Sequence, residues 1–161
     1  MAPIPDQRPP SAPRRERPLV LLIEDNVTQL DLYSMVIEEE LSLLTATRGE
    51  TGYALACSEK PDVIVVDVLL PDVDGLTVCQ RLRANPQTSS IPIVVLTGDD
   101  GAHDRAQRVA SQFSGVLTKP CPAELLLSTL RSAIEARGPV RRRGCLIGGE
   151  RIWIPSIKVS L

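Results

Sequence analysis

Acidic, hydroxyl and amine side chains each follow a short apolar run in the sequence. These residues are Glu24, Asp25, Asp67, Thr97 and Lys119. Three carboxylates held close together repel one another unless a cation binds between them or one of them takes up a proton. An acidic site of oxygen ligands with room for water suits Mg²⁺, which proteins bind through one or two carboxylates, waters and substrate phosphate. If the fold gathers these side chains, we expect a magnesium site.

The same residue types could transfer a phosphoryl group. Asp67 is the candidate nucleophile, because a carboxylate oxygen that attacks phosphorus forms an aspartyl phosphate. Lys119 offers a compact positive charge for one phosphoryl oxygen, and Thr97 can donate a hydrogen bond to another. Taken singly, each residue has a common structural explanation, since an aspartate after a strand usually caps a helix or forms a turn. The chemical interpretation therefore depends on their joint placement.

The elements that must place them are five short apolar runs that alternate with helical periodicity. The runs begin at Leu19, Leu43, Val63, Ile91 and Gly115. Continuous apolar runs of this length are typical of strands buried on both faces. Strict alternation of strands and helices predicts parallel strands with right-handed crossovers, and so a three-layer α/β fold around a five-stranded sheet. Ligands bind beyond the carboxyl ends of such strands, where the polar residues would meet.

The fourth helical stretch contains the only histidine of the chain. Its apolar residues are Ala102, Ala106, Val109, Ala110 and Phe113, and their spacing predicts one amphipathic helix. His103 lies beside acidic residues, and we expect it on the surface of this helix without a functional role. A lone histidine also excludes a histidine-rich metal site and an internal phosphodonor histidine domain.

Composition limits the remaining possibilities. The chain has 161 residues, of which 43% are hydrophobic and 24% charged, as expected for one globular domain. Aromatic residues are only 2%, which predicts an aliphatic core and argues against stacking on single-stranded nucleic acid. Apolar runs are too short for a membrane span and no signal peptide is evident, so a cytoplasmic protein is expected. The cysteines at 57, 79, 121 and 145 show no CxxC spacing and are expected to be reduced.

Three segments are predicted along the chain. Residues 1–17 are rich in proline and arginine, which favours a flexible tail. Residues 18–138 contain all the strands and helices. Residues 139–161 begin with a basic cluster and end in apolar residues, and they are too few for an output domain. Because three adjacent arginines are a weak signal, no specific nucleic-acid or membrane partner is expected.

Four motifs, "LLIEDN", "VIVVDVLLPDVDG", "IVVLTGDD" and "GVLTKP", resemble those of the receiver domain of bacterial two-component response regulators. The resemblance is to the single-domain type, like the chemotaxis receiver. It implies a flavodoxin-like, doubly wound sheet with strand order 2-1-3-4-5. It also implies that Asp67 accepts a phosphoryl group from a sensor histidine kinase or a histidine phosphotransfer protein, and that the Lys119-Pro120 peptide is cis.

The resemblance further assigns the site residues. It implies that Mg²⁺ is held by Glu24, Asp25, Asp67 and the main-chain carbonyl of Leu69. It implies that Thr97 and Lys119 contact the phosphoryl group and drive a conformational switch. The product would act by binding a downstream protein that the sequence does not identify. A homodimer through the face formed by helix 4, strand 5 and helix 5 is a further expectation.

Three positions depart from the family pattern. Val116 stands where the family often has an aromatic residue, so a ring that follows Thr97 during the switch is missing. Cys121 stands where phenylalanine is common. Leu69 occupies the position two residues after Asp67, where a polar side chain can orient water, and its apolar side chain predicts slow self-dephosphorylation.

Two alternative functions are compatible with the same elements. A pseudo-receiver would keep the fold and act as an interaction module without phosphorylation, and Val116 supports it. A haloacid-dehalogenase-type phosphatase would use Asp67 as its nucleophile, but it needs a second carboxylate two residues later. Leu69 occupies that place, so this alternative ranks last.

Overall fold

A computed structural model describes residues 17–98 and 100–138 of the chain. The strands are β1 (Leu19–Ile23), β2 (Ser42–Ala46), β3 (Val63–Asp67), β4 (Ile93–Thr97) and β5 (Gly115–Thr118). They form one parallel sheet with the order β2-β1-β3-β4-β5. The predicted fold class and strand order are confirmed.

Helices cover both faces of the sheet. They are α1 (Val27–Glu38), α2 (Gly49–Glu59), α3 (Gly75–Ala84), α4 (Asp100–Arg108) and α5 (Ala123–Arg137). Buried side chains of α2, α3 and α4 pack on one face, and those of α1 and α5 pack on the other. This is the three-layer arrangement expected of alternating strands and helices.

The three central strands explain why the sequence shows continuous apolar runs. Every residue of β1, β3 and β4 is buried, because each strand has a helical layer on both sides. Within β1, Val20 packs on the α1–α5 side, whereas Leu21 packs on the α2–α3–α4 side. Polar side chains are therefore confined to the ends of these strands, where the helical layers no longer cover them.

The prediction of one helix through Phe113 is wrong. Helix α4 ends at Arg108, and a short 3₁₀ turn follows at Ala110–Gln112. Phe113 is extended (φ −114°, ψ 154°) and packs against the α2–α3–α4 side of the core. The chain must leave the helix here because the next residue already pairs with β4, through a 2.8 Å bond from the N–H of Ser114 to the carbonyl of Ile93. The apolar spacing runs through two elements, α4 and the segment with the 3₁₀ turn that follows it.

Several predictions lie partly or wholly outside the described residues. These are the tails assigned to residues 1–17 and 139–161, of which the structure describes only Arg17. Cys57, Cys79 and Cys121 are free thiols, and Cys145 lies outside the described part. Among the helices that the structure describes, none has the length and apolar character needed to cross a membrane.

Candidate functional site

The carboxyl ends of β1 and β3 bring three acidic side chains together. Glu24 follows β1 and is fully buried, Asp67 is the last residue of β3 and is 5% exposed, and Asp25 is exposed. One carboxylate oxygen of each residue lies within 4.8 Å of the other two. The structure therefore gathers the acidic residues that the sequence singled out, with the outer one open to solvent.

Lys119 joins this acidic group from the end of β5. Its Nζ lies 2.5 Å from Oε2 of Glu24 and 2.7 Å from Oδ2 of Asp67, and its side chain is 9% exposed. The cluster thus contains three carboxylates and one ammonium group, which bonds to two of them. The remaining negative charge, together with the exposed position of Asp25, leaves the site suited to a divalent cation. The Lys119-Pro120 peptide that follows is cis.

Burial and charge shift the pKa values inside the site. Burial raises the pKa of the Glu24 carboxyl, and the hydrogen bonds it accepts from Lys119 and from the N–H of Asn26 offset only part of this effect. Burial alone would lower the pKa of Lys119, but the hydrogen bonds and charges of Asp67 and Glu24 outweigh burial and raise it. Lys119 therefore stays protonated and keeps its positive charge beside Asp67.

The backbone around β3 fixes the orientation of Asp67. The N–H of Leu69 donates to Oδ1 of Asp67 over 3.1 Å, and the N–H of Gly75 donates to the carbonyl of Val68 over 2.8 Å. A Cβ atom at Gly75 would lie 2.0 Å from the carbonyl oxygen of Asp67. Only glycine allows α3 to begin this close to the end of the strand. Asp74 caps that helix by accepting from the N–H of Leu76 over 2.8 Å.

Leu69 lies at the solvent side of the site. Its side chain is 52% exposed, and its N–H is used by Asp67. The apolar side chain beside Asp67 is the arrangement from which slow self-dephosphorylation was predicted. The use of its carbonyl as a magnesium ligand stays a prediction.

Thr97 is buried at the end of β4 and lies toward α4. It lies two residues after Val95, which packs on the α2–α3–α4 side, and it is the register partner of Thr118 on β5. Its Oγ1 lies 3.3 Å from Nδ1 of His103. Val116 is half-buried and packs against the same side of the core, in the place where the family often has an aromatic ring.

The expected surface position of His103 is wrong, whereas its expected lack of a functional role stays untested. The ring is half-buried, and its Nδ1 lies between the hydroxyls of Thr97 and Thr118. The periodicity carried a usable signal, because His103 is adjacent to Ala102 and three residues before Ala106, the two residues that α4 buries. A residue at that spacing lies at the edge of the buried stripe rather than on the solvent side.

The comparisons with known proteins agree with this geometry. The family model described as "Response regulator receiver domain" matches residues 20–131. The chain belongs to the response regulator receiver family. Receiver domains take a phosphoryl group from histidine kinases or phosphotransfer proteins, and they generally bind Mg²⁺ at an acidic site.

Two curated relatives differ in how much of them the chain covers. It is 40% identical over 110 residues to the response regulator PleD of Caulobacter vibrioides, a match that covers 68% of this chain and 24% of PleD. It is 31% identical over 116 residues to the protein PilH of Pseudomonas aeruginosa, a match that covers 71% of this chain and 96% of PilH. The chain thus spans about a quarter of PleD and nearly the whole of PilH.

A solved receiver shares the fold. The receiver domain of the sensor histidine kinase PA1611 from Pseudomonas aeruginosa superimposes with a TM-score of 0.67 at 24% identity, covering 73% of this chain and 98% of that one. That structure holds a magnesium ion coordinated in its active-site cleft.

Proposed function

We propose that this chain is a phosphorylatable receiver whose Asp67 accepts a phosphoryl group from a sensor histidine kinase or a histidine phosphotransfer protein, with Mg²⁺ bound. The observation that carries the proposal is the meeting of Asp67 with Glu24, Asp25 and Lys119 at one edge of the sheet. A protein that only binds partners would not need a protonated lysine beside a carboxylate nucleophile and an acidic cluster. Phosphorylation then alters binding to a downstream protein.

The transfer step uses the carboxylate of Asp67 directly. An oxygen of Asp67 attacks phosphorus, a new O–P bond forms, and the P–N bond of the donor phosphohistidine breaks. The electron pair of that bond leaves with the imidazole nitrogen, which takes up a proton. The N–H of Leu69 and the ammonium of Lys119 hold the carboxylate in place, and positioning of this kind supplies much of the catalysis in phosphoryl transfer.

The surrounding residues offset the negative charge of the incoming phosphoryl group. Glu24, Asp25, Asp67 and the carbonyl of Leu69 would hold Mg²⁺, which offsets negative charge on the phosphoryl oxygens when it is bound. Lys119, now bonded to Asp67 and Glu24, is placed to move its hydrogen bond to a phosphoryl oxygen. An aspartyl phosphate carries about −1.5 to −2 charges where the carboxylate carried one. The added negative charge favours a new position for the Thr97 hydroxyl.

A pseudo-receiver is the second candidate, and Val116 is the observation that favours it. Without an aromatic ring at this position, the familiar link between Thr97 and the surface is missing. A pseudo-receiver would keep its interactions whatever the state of Asp67. The complete acidic set and Lys119 argue against this reading. The phosphatase alternative lacks its general acid, because Leu69 occupies that position.

The cellular setting is part of the proposal. We place the protein in the cytoplasm, where histidine kinases hold their phosphohistidine. We expect residues 18–138 to form the receiver, whose output is binding to another protein. A homodimer through the α4–β5–α5 face is a further expectation from the family resemblance.

Intact-mass spectrometry after incubation with acetyl phosphate and Mg²⁺ tests the proposal. The full chain should gain the mass of one phosphoryl group, and Asp67→Asn should gain none. Asp104→Asn changes an exposed aspartate of α4 and should behave as the wild type. A wild-type chain that stays unmodified and binds neither Mg²⁺ nor beryllofluoride would establish the pseudo-receiver instead.

A further inference from the structure

One ring nitrogen of His103 serves two threonines on neighbouring strands. Nδ1 lies 3.3 Å from Oγ1 of Thr97 and 3.2 Å from Oγ1 of Thr118. These threonines are register partners at the ends of β4 and β5. The other ring nitrogen, Nε2, lies 3.3 Å from Nε2 of Gln107, one turn further along α4. The imidazole therefore connects α4 to two strand ends.

The two threonines compete for His103. An imidazole nitrogen has one in-plane position, which either donates a proton or accepts one. Both hydroxyls lie at distances longer than is typical for such bonds, as expected when two partners share one position. If Thr97 leaves, Thr118 can take the whole bond. Nδ1 of His103 then still has a hydrogen-bond partner.

Thr97 has a reason to leave once Asp67 is phosphorylated. Across the described residues, the Thr97 hydroxyl makes no hydrogen bond to Asp67 or Lys119; its partner is His103 on the α4 side. A bond to a phosphoryl oxygen is charge-assisted and roughly twice as strong as one between neutral groups. Phosphorylation therefore favours a hydroxyl that turns from His103 toward Asp67.

We propose that His103 is a positioning residue of the switch. It holds the Thr97 hydroxyl on the α4 side while Asp67 is unmodified, and it passes to Thr118 alone when Thr97 turns to the phosphoryl group. The exchange changes how α4 sits against β5 and gives this surface a sensor where Val116 offers no aromatic ring. The inference rests on the proposed phosphorylation of Asp67.

Helix α4 packs on the sheet through few side chains, so a shift in its position costs little free energy. The residues that α4 buries are two alanines, Ala102 and Ala106, so few side-chain contacts hold it to the sheet. A second polar contact joins Nη1 of Arg105 to Oδ2 of Asp74 over 2.6 Å, in the segment between β3 and α3. These two polar attachments of α4, seen among the described residues, reach segments next to the site, and a change at the site can bias the position of the helix.

Nitrogen NMR of the imidazole tests the proposal first on the wild-type chain. His103 is the only histidine, so a ¹⁵N-labelled full chain gives one ring spin system. Beryllofluoride with Mg²⁺ serves as the phosphoryl probe, at fixed pH. The ring nitrogen resonances should shift when the probe binds. They should not shift in Asp67→Asn, nor in Thr97→Val, where the ring has Thr118 alone from the start.

The outcomes separate the two proposals. Bound beryllofluoride seen by ¹⁹F NMR, together with unchanged His103 ring resonances, overturns the role of His103 and leaves Asp67 as the acceptor. No binding of beryllofluoride to the wild type, and no phosphoryl adduct, overturns the proposed function and this inference with it.

The affinity for beryllofluoride gives a second test, in which two variants should change the affinity in opposite directions. His103→Phe keeps a ring but removes its nitrogens, so Thr97 is released and binding should tighten about 2- to 10-fold, the range of one hydrogen bond. Thr118→Val leaves His103 to Thr97 alone and should weaken binding. Asp104→Asn, an exposed change on the same helix, serves as the control and should leave the affinity unchanged. Shifts of the same sign in the first two variants, or none in either, contradict the proposal.

Discussion

The Nζ of Lys119 lies 2.7 Å from Oδ2 of Asp67, although 52 residues separate them along the chain. The contact exists because β3 and β5 are parallel and end at the same edge of the sheet, with β4 between them. The same ammonium reaches Glu24 at the end of β1. One cation thus links the two buried carboxylates, and the proposed chemistry depends on it.

Replacing Lys119 should change the phosphorylation rate and the Mg²⁺ affinity of the site in opposite directions. Lys119→Gln removes the charge that faces the phosphoryl oxygens, and we expect phosphorylation by acetyl phosphate to slow about 100-fold or more. Mg²⁺ should bind more tightly, because the site becomes more negative. Calorimetric titration with Mg²⁺ and intact-mass time courses measure the two effects. Lys60→Gln changes an exposed lysine as the control, and equal rates in both variants would remove Lys119 from the mechanism.

Gly75 should tolerate no side chain. A Cβ there would lie 2.0 Å from the carbonyl oxygen of Asp67, so Gly75→Ala must push α3 away from the end of β3. We expect a loss of about 1–3 kcal/mol in the free energy of unfolding, as for other overpacked sites, and slower phosphorylation. Urea unfolding measures the first.

The matched control for that change is Gly98→Ala. Its Cβ would meet the Cδ of Lys119 at 3.9 Å, an ordinary contact, so stability should stay near the wild type. If both alanine variants unfold at the same urea concentration as the wild type, the close approach at Gly75 does not constrain the site.

Leu69 should set the lifetime of the phosphoryl group. A polar side chain at this position can orient the attacking water, so Leu69→Asn should speed dephosphorylation about 10-fold or more. Leu69→Met keeps an apolar side chain and should leave the rate unchanged. The decay of the phosphorylated mass after removal of acetyl phosphate gives both rates. A wild-type half-life of seconds would contradict the expectation.

Asp72 should make the stability depend on pH at the acidic end. Its carboxylate accepts from the N–H of Gly49 at 2.8 Å and of Glu50 at 3.0 Å, capping α2, and the bond from Glu50 is the main cause that lowers its pKa below 3.8. A lowered pKa in the folded state means that the stabilisation is present above the unfolded value and is lost as pH falls through the folded one.

Asp72→Ala should therefore lower the Tm at neutral pH, with the difference from the wild type shrinking as the pH drops below about 4. Thermal unfolding followed by circular dichroism over a pH series measures this. Asp31→Ala, an exposed change on α1, provides the comparison. A difference that persists unchanged at low pH would mean that the Asp72 charge is not its source.

Much of the fold could be predicted because a strand buried on both faces has a continuously apolar sequence. β1, β3 and β4 lie between two helical layers, so their sequences are continuously apolar, and the rule for parallel sheets then places Asp67 and Lys119 at one edge. Glu24 and Asp25 follow from the same rule. The strand order itself came from the resemblance to the family.

The end of α4 and the contacts of His103 could not be predicted from apolar runs and spacing. Val109 and Phe113 continue the apolar spacing although the helix ends at Arg108, because the return to β5 requires a turn that burial periodicity does not register. The contact of His103 with Thr97 and Thr118 depends on the start of α4 and on the register of β4 with β5. Neither quantity can be read from residue types alone.

The most direct test of the central claim is to locate the phosphoryl group. Borohydride reduces an aspartyl phosphate to homoserine, so the full chain would be treated with acetyl phosphate and Mg²⁺, reduced, digested and sequenced by mass spectrometry. We predict homoserine at position 67 and at no other aspartate. Homoserine at another position, or its absence from a chain that has gained a phosphoryl group, would contradict the assignment of Asp67 as the acceptor.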